Sequence, residues 1–263
     1  MLAFPNINPI AFSIHVHWYS LAYLAGVLLG WVLIKALNAR QAQPALSKQA
    51  MDDIMVYAIL GIVLGGRLGY VLFYKPAFYL SHPQEILMVW QGGMSFHGGL
   101  IGMLASMLLF CRKYKLEFLR VMDLLAVAAP IGICLGRLAN FINGELYGRV
   151  TDSQWGMIFP TDPEGLPRYP SQLIEAGLEG VVLFFILLVL AFFTRTLAKA
   201  GRMGGLFLIG YSFARSTSEL FREPDNFIHF LPDWITMGQL LSLPMLLIGL
   251  YLVFRRDRHQ TTA

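Results

Sequence analysis

The stretch that decides the fold is GRLANFINGELYGR, residues 136–149, where a long apolar run becomes polar. The preceding run is long enough to cross a membrane, so the polar side chains of the stretch fall at or just inside a membrane boundary. These are Arg137, Asn140, Asn143 and Glu145. At about 3.6 residues per turn, Arg137, Asn140 and Gly144 share one helical face. Ionisable groups at that depth indicate function, and this set suits an anionic headgroup.

The composition of the 263-residue chain indicates a bilayer protein. Hydrophobic residues make up 56% and charged residues 14%, and the mean hydropathy is +0.58, outside the globular range. We predict one all-α polytopic membrane domain, 1–263, with about seven transmembrane helices and no cleaved signal peptide. The predicted spans are 18–36, 54–74, 94–110, 121–141, 173–193, 203–221 and 237–254.

The distribution of Lys and Arg predicts the orientation. Of the 20, 13 lie in the connections after the first, third, fifth and seventh spans, and four lie in the other connections. By the positive-inside rule the richer set is cytoplasmic, which puts the N-terminus outside and the C-terminus in the cytoplasm. The net charge of +4 therefore reflects topology and argues against a nucleic-acid partner.

Polar residues inside the predicted spans share one depth. Arg67, Arg137, Arg215, His97 and Tyr19 all fall near the outer ends of their helices. This convergence predicts a pocket that faces the outer leaflet. The alternative from another class is a lipid or organic-anion transporter, whose pathway would spread polar groups through the whole membrane depth.

The sixth predicted span carries a second polar stripe. Its members are Tyr211, Arg215, Glu219 and Arg222, spaced i, i+4, i+8 and i+11. One interpretation is an internal Arg215–Glu219 pair that cancels charge. The other is an anion site, because we expect the intramembrane arginines to outnumber nearby carboxylates, with Glu219 the only clear one. A phosphate would then neutralise the excess charge, and its oxygens fit the planar guanidinium fork.

In the third predicted span, His97 stands beside Gly98 and Gly99. A membrane histidine of this kind either forms a packing hydrogen bond or takes part in proton transfer or headgroup binding. The adjacent glycines allow other groups to approach closely, which favours the functional interpretation. The sequence does not separate proton transfer from headgroup binding.

Other features have structural interpretations. Three sets of glycines spaced by four predict close helix packing: Gly61, Gly65 and Gly69; Gly98 and Gly102; Gly132 and Gly136. Cys111 and Cys134 are expected to be apolar filler, and Asp123 an interfacial charge near Arg120. No grouping of Cys, His and carboxylates has metal-ligand spacing, so we expect no metal site. No P-loop or dinucleotide fingerprint occurs either, and we expect no organic cofactor.

Two outer connections differ in composition from the spans. Residues 75–93 contain Pro76, Pro83 and several aromatics, which predicts a short outer interfacial loop. Residues 149–170 are rich in Pro, Asp and Gly, which predicts an outer cap loop.

The 136–149 stretch resembles the signature of the bacterial prolipoprotein diacylglyceryl transferase family, and the resemblance runs almost end to end. The further matching segments are His17-Trp18-Tyr19, Gly65-Gly66-Arg67-x-Gly69-Tyr70, His97-Gly98-Gly99, Pro170-Ser171-Gln172-Leu173, Tyr211-x-x-x-Arg215-x-x-x-Glu219, Phe221-Arg222-x-Pro224-Asp225 and Gly238-Gln239-x-Leu241-Ser242-x-Pro244. The chain departs from the family at Tyr169 and Ile174, where many members have His and Tyr.

The resemblance implies transfer of the diacylglyceryl group of phosphatidylglycerol to the lipobox cysteine thiol of a prolipoprotein signal peptide, which releases glycerol phosphate. It also implies a multi-pass protein of the bacterial inner membrane whose partners are these two substrates and the membrane lipids. The residues it implies as catalytic are Tyr19, His97, Arg137, Tyr211, Arg215 and Glu219. Those placed at the substrate are Arg67, Gly98, Gly99, Arg137, Asn140, Asn143, Glu145, Gly148 and Arg222.

Overall fold

The computed structural model describes residues 2–5, 7–12, 16–41, 44–223 and 236–255, and its architecture is helical. The long helices are α1 (Trp18–Arg40), α2 (Lys48–Phe73), α4 (Phe96–Tyr114), α5 (Phe118–Ile142), α7 (Leu183–Phe193), α8 (Arg202–Ser218) and α9 (Met237–Phe254). The short elements are strands β1 (Ile10–Phe12), β2 (Val16–His17), β3 (Met157–Ile158) and β4 (Pro167–Arg168), and helices α3 (Pro76–Ser81) and α6 (Ser171–Glu175). The family motif residues Pro224 and Asp225, and the C-terminal Arg256 and Arg258, lie outside the described residues.

Helices α6 and α7 are parts of one continuous helical segment. Between them, Ala176–Val182 forms a π-helical turn, so the whole segment runs over Ser171–Phe193. π-helical turns are rare and are found disproportionately at functional sites. This turn carries Glu179, which makes it part of the site described below.

Within the part of the chain that the structure describes, five helical segments are long and apolar enough to cross a membrane. They are Trp18–Arg40, Lys48–Phe73, Phe118–Ile142, Ser171–Phe193 and Met237–Phe254. The predicted spans 94–110 and 203–221 coincide with α4 and α8, which are not in this group; α8 has only 17 residues and includes Arg215. The protein is therefore a multi-pass α-helical membrane protein, and the count of seven spans remains a prediction.

The chain divides into two compact units, one formed by residues 38–121 and the other by residues 1–37 and 122–263. In the 38–121 unit, α2 packs on α4 through the predicted glycines. A Cβ added at Gly65 would lie 2.6 Å from the Gly102 Cα, and one at Gly69 would lie 2.7 Å from the Gly98 Cα. These two glycine sets are confirmed as packing surfaces, because only a hydrogen side chain allows the two backbones to approach this closely.

The third glycine set behaves differently. In the unit of residues 1–37 and 122–263, a Cβ at either Gly132 or Gly136 would have no heavy atom within 4 Å. A Cβ at Gly26 of α1 would nevertheless lie 3.3 Å from the Gly132 Cα, so the α1 backbone approaches α5 at Gly132. The predicted close approach therefore exists at Gly132, on a side that its own Cβ would not face, and it is wrong for the Cβ position of Gly136. Two glycines outside the predicted sets do bring α8 and α9 together, since a Cβ at Gly205 would lie 2.8 Å from the Gly249 carbonyl oxygen.

Asp123 is not the interfacial charge that the sequence suggested. Its side chain is buried and accepts hydrogen bonds of 2.7 Å from the backbone amides of Gly201 and Gly204. These amides belong to the first turn of α8, where the helix leaves its N–H groups without intrahelical partners. Asp123 thus caps α8 from α5, and Arg120 pairs instead with Glu117.

The two connections of distinct composition are more ordered than loops. Residues 75–93 contain α3 and the 3₁₀ turns Pro83–Leu87 and Val89–Gln91. Residues 149–170 contain the β3–β4 hairpin and pack Met157 and Phe159 against Phe141 at the end of α5. This hairpin segment therefore has a small apolar core that ties it to the last turn of α5.

Candidate active site

The polar stretch after α5 turns back on itself around Glu145. The Glu145 carboxylate accepts hydrogen bonds from the side-chain amides of Asn140, at 2.9 Å, and Asn143, at 3.3 Å. The amide of Gln172 donates to the Glu145 carbonyl at 2.7 Å. The turn depends on Gly144, which has a φ of 68°, a left-handed conformation that glycine adopts at little cost. Three residues of the predicted headgroup site are thus joined in one network.

Gly148 lies where three chain segments meet. Its amide donates to the Tyr169 carbonyl at 2.9 Å, and it forms an antiparallel bridge with Arg222. A Cβ here would overlap the Phe221 carbonyl and approach the Tyr169 carbonyl to 2.9 Å. Glycine is therefore required for packing, and its position brings Arg222 beside the 136–149 stretch.

Three arginines from two helices and the segment after α8 surround one buried carboxylate. Glu175, at the end of α6, is fully buried. Its oxygens lie 2.8 Å from Arg137, 3.1 Å from Arg215 and 3.0 Å from Arg222. We call Arg137, Arg215, Arg222, Glu175, Glu179 and Glu219 the ion cluster. Glu175 is its centre, because it alone contacts all three arginines.

The other two carboxylates of the ion cluster are also buried. Glu219 pairs with Arg215 and lies 3.4 Å from Arg222. Glu179 lies 3.7 Å from Arg137 and 3.6 Å from Arg215. Three guanidinium groups therefore face three carboxylates, so the expected excess of positive charge is wrong. The Arg215–Glu219 pair exists, but it is one edge of a balanced cluster.

Two tyrosines lie near the ion cluster. Tyr211 is one turn before Arg215 on α8 and is within electrostatic range of Glu179 and Arg215. Tyr19 accepts a hydrogen bond from the Tyr23 hydroxyl at 3.2 Å, and Tyr23 is in turn within electrostatic range of Arg137 and Glu145. These contacts bring the predicted tyrosines of α1 and α8 into one unit with the arginines.

The remaining predicted residues lie in the 38–121 unit. Arg67 is buried, and its guanidinium donates to the carbonyls of Glu85, Ile86, Gly92 and Gly93, with lengths from 2.5 to 3.3 Å. It therefore fastens the 75–93 segment to α2. His97 is exposed in the first turn of α4 beside Phe96. Gly98 and Gly99 face α2, Gly98 so closely that a Cβ would lie 2.9 Å from the Gly69 Cα.

A cavity of about 490 Å³ adjoins the ion cluster on the side of the hairpin segment. Glu145, Tyr147, Arg168 and Arg222 are among its lining residues. Arg168 is held there by Asp162, Glu164 and Glu223. The Arg168 guanidinium lowers the pKa of Asp162 below its ordinary value by hydrogen bonding to the carboxylate. Arg222 and Glu145 therefore belong both to the lining of this cavity and to the polar groups described above.

Comparisons with known proteins agree with this arrangement. Residues 8–255 match the model of a family described as prolipoprotein diacylglyceryl transferase. A phosphatidylglycerol–prolipoprotein diacylglyceryl transferase of Rickettsia felis is 52% identical over 255 residues, which cover 96% of this chain and 98% of the relative. One of Azospirillum brasilense is 52% identical over 261 residues, covering 98% and 97%. The chain belongs to the prolipoprotein diacylglyceryl transferase family.

Membership of the diacylglyceryl transferase family makes the chain a transferase and supports this interpretation over a transporter. Sequence reasoning nevertheless missed two functional candidates, Glu175 and Glu179. A signal was present, because two carboxylates four residues apart lie inside the predicted span 173–193. Carboxylates are as costly in a membrane as arginines, so two of them within one span indicate a functional site as strongly as the arginines do.

Proposed function

We propose that this diacylglyceryl transferase moves the diacylglyceryl group of phosphatidylglycerol to the thiol of a lipobox cysteine in a prolipoprotein signal peptide. The proposal places it in the bacterial inner membrane, with about seven spans, an outer N-terminus and an active site open to the outer leaflet. The observation that carries it is the ion cluster. Its three arginines converge from different segments in a chain whose relatives are named for this reaction.

The chemistry assigns the arginines to the leaving group. The cysteine sulfur attacks the carbon of the diacylglyceryl group that bears the phosphate ester. The bond between this carbon and the phosphate oxygen breaks, and glycerol phosphate departs with the bonding electrons. Negative charge therefore grows on the phosphate in the transition state, where fixed guanidinium donors stabilise it most. We assign this role to Arg137 and Arg215, with Arg222 at the cavity side and Glu219 orienting Arg215.

The thiol must lose its proton during the attack. We assign its acceptance to His97, on the family motif and the exposure of its imidazole in the first turn of α4. Asn140, Asn143, Glu145 and Gly148 are assigned to headgroup binding, because Glu145 borders the cavity and the two amides fix its orientation. Tyr19 and Tyr211 are assigned to the reacting centre. The substrate region also includes Arg67, Gly98 and Gly99. We assign them a supporting role there, through the packing that they provide.

The decisive experiment is a transfer assay with purified protein, labelled phosphatidylglycerol and a synthetic lipobox peptide, without any ion gradient. We expect a labelled thioether on the cysteine peptide and none on the matched serine peptide. Gradient-dependent movement of lipid without thioether formation would instead favour a transporter.

Arginine-to-lysine variants test the assigned chemistry. Arg137→Lys and Arg215→Lys keep the charge but lose the bidentate fork, so each should slow transfer by about 1.5–3 kcal/mol in activation free energy. The matched control is Arg120→Lys, at an exposed arginine whose one ion pair among the described residues is with its neighbour Glu117. Rates near normal in both cluster variants would make these arginines structural counter-ions.

A further inference from the structure

Glu175 and Glu179 lie one turn apart, and both are fully buried. Their contacts with the arginines differ. Glu175 accepts hydrogen bonds from Arg215 at 3.1 Å and from Arg222 at 3.0 Å. Neither oxygen of Glu179 accepts a hydrogen bond from any residue that the structure describes. Its contacts are charge contacts of 3.6 and 3.7 Å to Arg215 and Arg137.

The distances rank the two carboxylates as partners of the same nitrogen atoms. The Nη2 atom of Arg137 lies 2.8 Å from Glu175 and 3.7 Å from Glu179. The Nη1 atom of Arg215 lies 3.1 Å from Glu175 and 3.6 Å from Glu179. Glu175 is therefore the tight partner of both guanidinium groups, and Glu179 is the loose one.

A charge-balanced cluster gives a phosphate little net attraction. With three guanidinium groups and three carboxylates, a bound phosphate can gain strong contacts only where one carboxylate yields its place. Glu175 is unsuited to yield, because releasing it would free three arginines at once. Glu179 can yield without breaking any hydrogen bond.

We propose that Glu179 is an internal competitor of the lipid phosphate, holding the phosphate-binding faces of Arg137 and Arg215 in the empty site and giving them up when the phosphate binds. This inference rests on the proposed function of the site. In this inference, Glu179 is a positioning residue that weakens anion binding. Glu175 is the residue that holds the arginines in place for the phosphate.

The competition has a use in the reaction. The product, glycerol phosphate, is a phosphomonoester and carries more negative charge than the phosphodiester substrate. Repulsion from a buried carboxylate grows with that charge, so Glu179 acts most strongly against the product. The residue thus favours departure of glycerol phosphate after transfer.

Matched substitutions of the two carboxylates give opposite expectations. Glu179→Gln keeps the side-chain volume and removes the competing charge, so we expect glycerol phosphate to bind about tenfold more tightly. Glu175→Gln removes the charge that holds three arginines, so we expect binding about tenfold weaker. Glycerol phosphate is titrated by calorimetry into protein in nanodiscs of phosphatidylcholine, which carries no competing net anion. The control for charge removal alone is the exposed Glu117→Gln.

The same variants are then assayed for transfer, with glycerol phosphate as inhibitor. In the Glu179→Gln variant, we expect the inhibition constant of glycerol phosphate to fall about tenfold. We also expect product release to limit the turnover of this variant. A structural role would lower turnover without tightening product binding. Glu179→Gln with unchanged or weaker binding of glycerol phosphate overturns the inference.

Glu179→Met, which is uncharged and of similar volume, serves if the Gln variant does not fold. Loss of the folded protein in both variants also overturns the inference, because Glu179 would then be a structural member of the bundle. Failure of the proposed function is a separate result. In that case the wild-type protein forms no thioether, regardless of which variant binds glycerol phosphate more tightly.

Discussion

Buried and partly buried arginines in this protein serve two purposes that their contacts distinguish. The Arg67 guanidinium donates to four backbone carbonyls of the 75–93 segment, so its charge supports local structure. Arg137, Arg215 and Arg222 instead contact carboxylates, and Arg222 also borders a cavity. An anionic ligand can compete for an arginine held by side chains far more readily than for one that closes a loop.

The residues of the ion cluster were predictable in part. Arg137, Arg215, Glu219 and Arg222 stand out because each interrupts or borders an apolar run. Their partners did not stand out, since Glu175 and Glu179 are flanked by a long apolar segment that dominates the hydropathy of the span. That Glu175 contacts three arginines from separate segments is a tertiary fact, which no local pattern encodes.

The assignment of His97 as proton acceptor predicts a specific kinetic defect. His97→Gln keeps hydrogen bonding and approximate size but not basicity, so transfer at neutral pH should fall roughly 10²- to 10⁴-fold. Part of the rate should return at high pH, where the peptide thiol ionises unaided. Phosphatidylglycerol binding should be unchanged. The measurement is the rate of transfer against pH, together with lipid binding.

His82→Gln is the matched control for this substitution, because His82 is another exposed histidine of the same unit, stacked on Phe78. It should transfer at the wild-type rate. If His97→Gln keeps more than about a tenth of normal turnover at neutral pH, His97 is not the base. The arginines would then be the main catalytic element.

At the scale of elements, glycine placement shows where helix backbones approach each other closely. Spacing by four predicted the α2–α4 contact correctly, because both helices present a continuous strip without side chains. The same spacing at Gly132 and Gly136 was less informative, since α1 approaches Gly132 through Gly26 while the Cβ positions of Gly132 and Gly136 are open. The π-helical turn was equally beyond prediction, because its sequence, AGLEGVV, is compatible with an α-helix.

This difference predicts opposite outcomes for one substitution at two glycines. Gly65→Ala would place a methyl group 2.6 Å from the Gly102 Cα, a backbone atom that cannot move alone. We expect it to destabilise the protein by about 1–3 kcal/mol, the usual penalty of overpacking. Gly132→Ala meets no atom within 4 Å and replaces a helical glycine, so it should be neutral or stabilising by up to about 1 kcal/mol.

The measurement for this pair is the thermal unfolding midpoint of the purified variants in one detergent. Equal midpoints would contradict the close α2–α4 packing. If Gly132→Ala lowers the midpoint as much as Gly65→Ala does, the Cβ position of Gly132 is not open but packed against another helix.

At the scale of the whole molecule, composition and charge decide more than any motif. The excess of Lys and Arg in alternate connections depends only on counting, which is why it predicts orientation without knowledge of packing. Helices α4 and α8 are less apolar than the five candidate spans. Their assignment as spans therefore depends on whether the connections before and after each helix lie on opposite sides of the membrane. Determining the sidedness of the two connections that flank α4 therefore tests the orientation and the crossing of α4 together.

Single cysteines in a background without Cys111 and Cys134 provide that test. Gln84, in the 75–93 segment before α4, and Glu117, between α4 and α5, are both exposed and are suitable sites. With an outer N-terminus, an impermeant maleimide should label Gln84→Cys in intact cells but reach Glu117→Cys only after the membrane is opened. If α4 did not span, the predicted alternation would fail and both thiols would react from the same side. The reverse pattern would turn the 136–149 stretch toward the cytoplasm, where a site for the outer leaflet could not lie.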